Sequence, residues 1–381
     1  MAIRFRTIIV IAILLYTTLI PGGYNPGLAQ SAEEESEPVN IVIGTNPAAR
    51  ILREDWLDFS GLSLGANLQF GDLIDPGEET VVVLCPDLTE HAVTQLDAVP
   101  CSPQMSDRNV LIQGDQALAG WQRGNQEDPL IPYLITPRDT LSLTRQPIIR
   151  WNLIPGVLGY SVSVHGEGVN WTQEVTDADV YELLYPQDAP VLTPGSAYSI
   201  EIIALLTEGE QRSSAEEDTT NSFIVMTPDD AETITATIAA IHAAVEDETA
   251  VALIDAQYYT QNGLFGEAVE ALYTIFDGQS VIECPTEVEA NQSPVVYRML
   301  GDLYLQTQLE REAAVAYLCA LTVATQTNDL ESQALAAEAL ARLTVDDDEK
   351  AALVTTALTI WEQLGATERI EALQAEFAPS S

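Results

Sequence analysis

The sequence predicts a multidomain chain of three folded parts in series, two all-β and the last all-α. Short apolar runs punctuated by glycine fill 39–128. Alternating strands bounded by Pro-Gly turns fill 131–227. Over 228–378 Ala and Leu rise, Gly and Pro thin out, and apolar residues recur at helical spacing. Ahead of these parts the expected layout has a leader at 1–29 and an acidic, disordered lead-in at 30–38.

The leader is read from its order. Arg4 and Arg6 precede an apolar run, Thr7 to Ile20, and Gly27 and Ala29 flank Leu28. A basic start, an apolar stretch and a small-x-small end predict a secretory signal peptide cut before Gln30. The run is shorter than the ~20 residues of a spanning helix. An uncleaved membrane anchor is the alternative. The Leu28-Ala29-Gln30 end resembles those of cyanobacterial exported proteins, which implies a periplasmic or envelope location. Residues 31–38 (SAEEESEP) are acidic.

Charge excludes partners. The net charge is −43, and losing Arg4 and Arg6 makes it −45. Lys350 is the single lysine. Nucleic acid and anionic membrane surfaces both need a basic footprint. With 46% hydrophobic residues the chain is still no acidic disordered polymer.

Cys85, Cys101, Cys284 and Cys319 allow three disulfide connectivities. Pairing inside each part favours Cys85–Cys101 and Cys284–Cys319, with free buried thiols as the alternative. No C-x-x-C occurs, so neither a thioredoxin-like role nor a zinc site has support.

In the first β part, Val81-Val82-Val83-Leu84 and Val110-Leu111-Ile112 read as buried strands, and Gly71-Asp72 interrupts an alternating pattern from Leu68 to Ile74. Residues 114–128 read as a linker or long loop. The order Trp56, Gly71-Asp72-Leu73-Ile74, then Val81 to Asp87, resembles small exported FecR-like β-domains.

In the second, Ile148-Ile149-Arg150-Trp151 alternates, Pro155-Gly156 turns the chain, and Tyr160, Val162 and Val164 share a face. Leu192-Thr193-Pro194-Gly195-Ser196-Ala197-Tyr198 leads into Ile200, Ile202 and Ala204. An early buried Trp and this Tyr corner resemble a fibronectin type III or other immunoglobulin-like β-sandwich. The resemblance implies that the Tyr198 hydroxyl bonds back to the preceding loop.

Thr227-Pro228-Asp229-Asp230 opens the helical part: a capping Thr, Pro at the first position, acids in the first turn. Then Tyr297, Leu300, Gly301, Tyr304, Ala313, Tyr317 and Ala320 match the tetratricopeptide pattern. Small Gly301 and Ala313 let two helices approach while the tyrosines fill the seam. Ala256, Tyr259, Gly263, Ala268, Leu272 and Ile275 form an earlier copy, which departs from the pattern at Ala252 and Asp255. The copies lie 45 residues apart instead of ~34, with the excess in 278–294. Further helices are expected over 331–343, 347–364 and 367–377. The resemblance implies a C-terminal tetratricopeptide-like α-solenoid.

Chemistry-bearing patterns are few. Gly61-Leu62-Ser63-Leu64-Gly65 matches the G-x-S-x-G nucleophile elbow, which needs a strand, a turn and a helix, then an acid and a His. No helix pattern follows, so Ser63 is expected to be a turn serine. His91, His165 and His242 fall one to a part without metal-ligand spacing. Asp346 to Glu349 lacks the glycine and spaced Asp of a calcium loop, and reads as a helix start. Neither a P-loop nor G-x-G-x-x-G occurs. No catalytic residue, metal or cofactor is expected.

What remains is the groove that the tetratricopeptide resemblance implies. Its partner-facing positions would be Leu253, Gln257, Thr260 and Gln261 in the earlier copy, and Arg298, Asp302, Leu305 and Gln306 in the central one. The Lys and Asn with which some members clamp a terminal carboxylate are absent there. The expectation is an exported, non-enzymatic interaction or scaffold protein. It would bind neutral or cationic polypeptide segments, with the sandwich as spacer. An envelope sensor using the FecR-like part and a serine hydrolase using Ser63 are the alternatives.

Overall fold

Glycine and turn residues every few positions keep the strands short, and their loss after 227 lets helices run. A computed structural model describes residues 40–101, 130–216, 221–276, 284–285 and 292–378. The expected leader, the acidic lead-in, the strand at 110–112, the linker at 114–128 and most of the 278–294 loop lie outside the described residues. Both β parts and the helical part are present.

The first region has eight strands: β1 (Asn40–Gly44), β2 (Arg50–Leu52), β3 (Ser60–Gly61), β4 (Asn67–Leu68), β5 (Leu73–Asp75), β6 (Val81–Leu84), β7 (Glu90–Val93) and β8 (Asp97–Ala98). They form two antiparallel sheets, ordered β4-β1-β6-β7 and β3-β2-β5-β8. Val81 and Val83 on β6 are fully buried, as their alternation requires. A disulfide joins Cys85, just past β6, to Cys101 beyond β8.

The second region contains β9 (Leu134–Thr136), β10 (Thr140–Ser142), β11 (Ile148–Trp151), β12 (Gly159–Gly166), β13 (Val169–Val175), β14 (Glu182–Leu184), β15 (Ala197–Leu205), β16 (Gln211–Ser213) and β17 (Ser222–Val225). One sheet runs β14-β11-β9; the other runs β10-β17-β15-β12-β13, with β16 on β15. Trp151, Tyr160, Tyr198 and Phe223 fill the core that the two sheets share. The Tyr198 hydroxyl accepts from Thr193 N at 2.7 Å, the back-bond that the corner sequence implied.

Eight helices follow: α1 (Pro228–Ala244), α2 (Glu248–Gln261), α3 (Phe265–Ile275), α4 (Pro294–Gln306), α5 (Glu310–Thr327), α6 (Leu330–Leu343), α7 (Asp347–Leu364) and α8 (Thr367–Glu376). Thr227 caps α1 with Pro228 in its first turn, and Asp346 caps α7. The pairs α2–α3 and α4–α5 repeat one turn. Gly263 (φ 71°) and Gln308 (φ 61°) are left-handed, and Leu264 N and Leu309 N donate to Tyr259 O and Tyr304 O. A Cβ on Gly301 would sit 2.7 Å from the Tyr317 ring, so the close approach read from the sequence is physical. Asp255 departs from the pattern because it bonds His242 on α1, Nε2 to Oδ2, at 2.7 Å. A second disulfide ties Cys284 to Cys319 on α5.

The three parts do not stand as beads. The described residues all belong to one compact unit. Ile51, Trp56, Leu62 and Ile74 share a core with Leu330, Ala337, Trp361 and Leu373 from α6, α7 and α8. On the other side, Ile41 and Leu84 pack with Ile241 and Ile254 from α1 and α2.

Candidate functional site

The seam between the first region and the helices is built on the β3–β4 turn. The backbone of Gly61 lies against α6: its N–H donates to Asn328 O at 3.0 Å, and a Cβ there would come within 2.9 Å of that oxygen. Ser63 Oγ donates to Asp329 Oδ2 at 2.6 Å, and Ser60 Oγ lies 3.4 Å from Oδ1. Asp329 also caps α6, accepting from Ser332 N and Oγ. Burial pushes the Asp329 carboxyl above its ordinary value, against the pull of these donors. Ser293 Oγ, at the start of α4, donates to Leu64 O at 2.5 Å.

Beside this turn Arg53 forms a half-buried fork. Its Nε and Nη2 take both oxygens of Glu331, at 2.9 and 2.7 Å, and Nη1 donates to Asp72 at 2.6 Å. Burial opposes the guanidinium charge, but Glu331 and Asp72 more than offset it and hold Arg53 above its ordinary value.

A cleft of about 710 Å³ opens along the same seam. That is the size of a small-molecule site. Its lining brings Ile51, Leu62 and Phe70 from the first region to Arg298 on α4, Leu335 on α6, Trp361 on α7 and Arg369 on α8. Trp56 and Trp361 lie 6.3 Å apart, centroid to centroid. Arg369 sits over the Trp361 ring at 5.7 Å. Asp55 and Glu368, both exposed, also line it.

Of the eight positions carried over as a groove, Arg298 alone lines this cleft. Leu253 is 1% exposed; a Cβ on Gly65 would lie 3.2 Å from its methyl, so the β3–β4 turn covers that position. Thr260 Oγ1 donates back to Ala256 O, and Leu305 packs into the helical core. Gln257, Gln261 and Gln306 are half-buried. Asp302 accepts from the Tyr317 hydroxyl at 2.7 Å. The helix face expected to be open is thus partly occupied by the chain's own β-region. Arg53, Asp329, Leu335 and Arg369 escaped the sequence reading. Only the capping pattern Asp329-x-x-Ser332 was available as a local signal.

Ser63 sits in a strand–turn–strand, followed by β4, and not in the strand–turn–helix of a nucleophile elbow. His91 neighbours Thr89 and His242 bonds Asp255, while His165 lies in β12 opposite Asn170 and Ser199. Among the described residues no cluster of His, Cys, Asp and Glu could hold a metal ion. No described helix is long and apolar enough to cross a membrane.

No family model matches the chain, and no curated protein does. Among solved structures it is similar to a beta-1,2-glucanase from Parabacteroides distasonis, at 9% identity, with a TM-score of 0.22. The match covers 86% of this chain and 49% of that one, so this chain spans about half the glucanase's length. A likeness this slight carries no argument.

Proposed function

We propose that this is an exported, non-enzymatic binding protein whose ligand site is the seam cleft. The carrying observation is a 710 Å³ opening lined jointly by the first β-region and helices α4, α6, α7 and α8. Binding clefts recur where separately built layers meet. The two disulfides support an oxidising compartment. The hydrogen bond from Ser63 to Asp329 supports a structural role for that serine.

The fold reading belongs to the same proposal. The sheet orders and the Tyr198 back-bond support an immunoglobulin-like, fibronectin type III sandwich for 131–227. The repeated turn and the Gly301–Tyr317 contact support a tetratricopeptide-like array. In this reading the array's inner face holds the β-region, and what it leaves open is the seam.

The test is a binding screen of the mature chain against small molecules and short peptides of every charge, run beside Leu335→Trp. The larger ring fills the cleft. Ligands that bind the parent and not the variant are expected. Ligands that bind both equally place recognition elsewhere and overturn the reading.

A further inference from the structure

The arginines of this chain are not short of acids, since 58 Asp and Glu face 15 Lys and Arg. Arg50, Arg53, Arg150 and Arg342 each hold a carboxylate within 2.8 Å, while Arg212 reaches Glu216 only at 3.6 Å. Two more, Arg138 and Arg145, donate to backbone carbonyls.

Arg298 and Arg369 both line the seam cleft, and neither has an ion pair as short as those four. Arg298 reaches a carboxylate only at 3.5 Å, Nη1 to Asp302 Oδ2. Its Nε is buried without a hydrogen-bond partner. Arg369 is exposed and rests on the face of Trp361, and it forms no ion pair among the described residues. A buried donor without an acceptor is unfavourable, and in a chain this acidic it marks a place kept for an acceptor from outside.

Resting on the reading of the cleft as the ligand site, we propose that it binds a small organic acid. The carboxylate is held by Arg298 and Arg369, and the apolar body lies against Leu335 and Phe70. Guanidinium groups suit a carboxylate because they present paired donors in a plane. The other charges sharpen the choice. Glu331 is already taken by Arg53, and Asp329 by Ser63 and Ser332. Asp55 and Glu368 remain on the lining as anions. They disfavour ligands with several negative charges, so a monocarboxylate fits better than a polyanion. The net charge of the chain favours neutral or cationic partners, and the lining as a whole carries four carboxylates to three arginines, so the preference for an anion is confined to the Arg298 and Arg369 end of the cleft.

The experiment uses the mature chain and matched probes, 3-phenylpropanoate and its amide 3-phenylpropanamide, with binding read by calorimetry. The acid is expected to bind at least about tenfold more tightly than the amide, the scale of a charge-assisted pair. Arg298→Gln and Arg369→Gln should each remove most of that preference, and Arg298→Lys should keep part of it. A melting curve for each variant separates lost binding from lost folding. Equal affinity for acid and amide, both abolished by Leu335→Trp, overturns the carboxylate assignment and leaves the cleft reading standing. Binding of the acid that survives Leu335→Trp overturns both. So does no binding by 3-phenylpropanoate, hexanoate or benzoate at millimolar concentration.

Discussion

The two β-regions join the same helices by different means. The first shares its apolar core with them: Trp56 packs on Trp361, and Ile51 and Ile74 belong to one cluster with Ala337 and Leu373. The second keeps a core drawn from its own residues, Leu134 to Val225, and meets the helices through Tyr133 and Ile135, which pack into the helical core, and through several polar groups. Arg138 donates to Thr307 O at the end of α4, where a cation complements the helix dipole. Arg150 forks onto Glu270 at 2.8 Å through Nε and Nη2, and Glu267 accepts from Ser142 and Leu143. Tyr133 bonds Glu312. The lesson concerns autonomy. A region whose core is completed by distant helices cannot fold without them, while one that closes its own core needs them only for position.

The strongest way to break this contrast is truncation. Removing 330–378 should abolish the cooperative unfolding of the first region, while 130–227 expressed alone should fold. Circular dichroism and denaturant titration of each fragment check it. A truncated chain with a native near-ultraviolet tryptophan signal would sink the shared-core half of the argument.

Trp361→Ala comes next, at about 4 kcal/mol, because it empties the middle of the shared core. Its measure is the denaturant midpoint of the whole chain. Asp329→Ala should cost about 3 kcal/mol, losing a helix cap and leaving buried Ser63 and Ser332 without their acceptor. Asp329→Asn should retain part of this.

At the other joint, Arg150→Ala should cost about 2 kcal/mol, since Glu270 is 28% exposed and can be solvated when freed. The sharper expectation is qualitative. In the 130–227 fragment, where Arg150 keeps only its 2.8 Å pair with the exposed Glu182, the same change should move the unfolding transition by less than it moves that of the whole chain.

The smallest effect is the pH dependence. Burial raises the carboxyls of Glu267, Glu312 and Asp329 above their ordinary values, against their hydrogen-bond donors. A raised folded value means that the native chain holds more protons than the unfolded one. Stability is therefore full below the ordinary carboxylate value of about 4 and falls as pH rises through the raised ones. The melting temperature should be higher at pH 5 than at pH 8, and Glu267→Gln should flatten the slope. A rise in melting temperature from pH 5 to 8 contradicts this.

How far the sequence reaches can be judged residue by residue. The helix over 347–364 was readable because its acidic start at Asp346 is a local signal, and the one over 330–343 was readable within a residue from its apolar periodicity. Tyr198 announced its own back-bond because its hydroxyl and the Thr193 N–H that donates to it lie five residues apart. The cleft was not readable. Arg298 was singled out, but as one of eight groove positions, and Leu253 from the same set is buried under Gly65. Ser63 was rightly placed in a turn, yet its partner Asp329 is 266 residues away, with nothing in either neighbourhood to connect them.

The sequence by itself determined where strands give way to helices, the ends of the capped helices and the repeat from Tyr259 to Tyr304, and it favoured the pairing of Cys85 with Cys101 and Cys284 with Cys319 without excluding the others. These follow from backbone preferences, caps and short-range spacing, all of which are encoded within a few turns of chain. Only the tertiary structure decided what covers the inner face of the helices, and so which arginines share a cleft. Apolar burial is non-directional: periodicity shows that a helix face must be covered, and does not say by which part of the chain. That choice is made by the joint shape of surfaces distant in sequence. Here it placed the β3–β4 turn between α4 and α6, and left Arg298 and Arg369 on the lining of the space beside it.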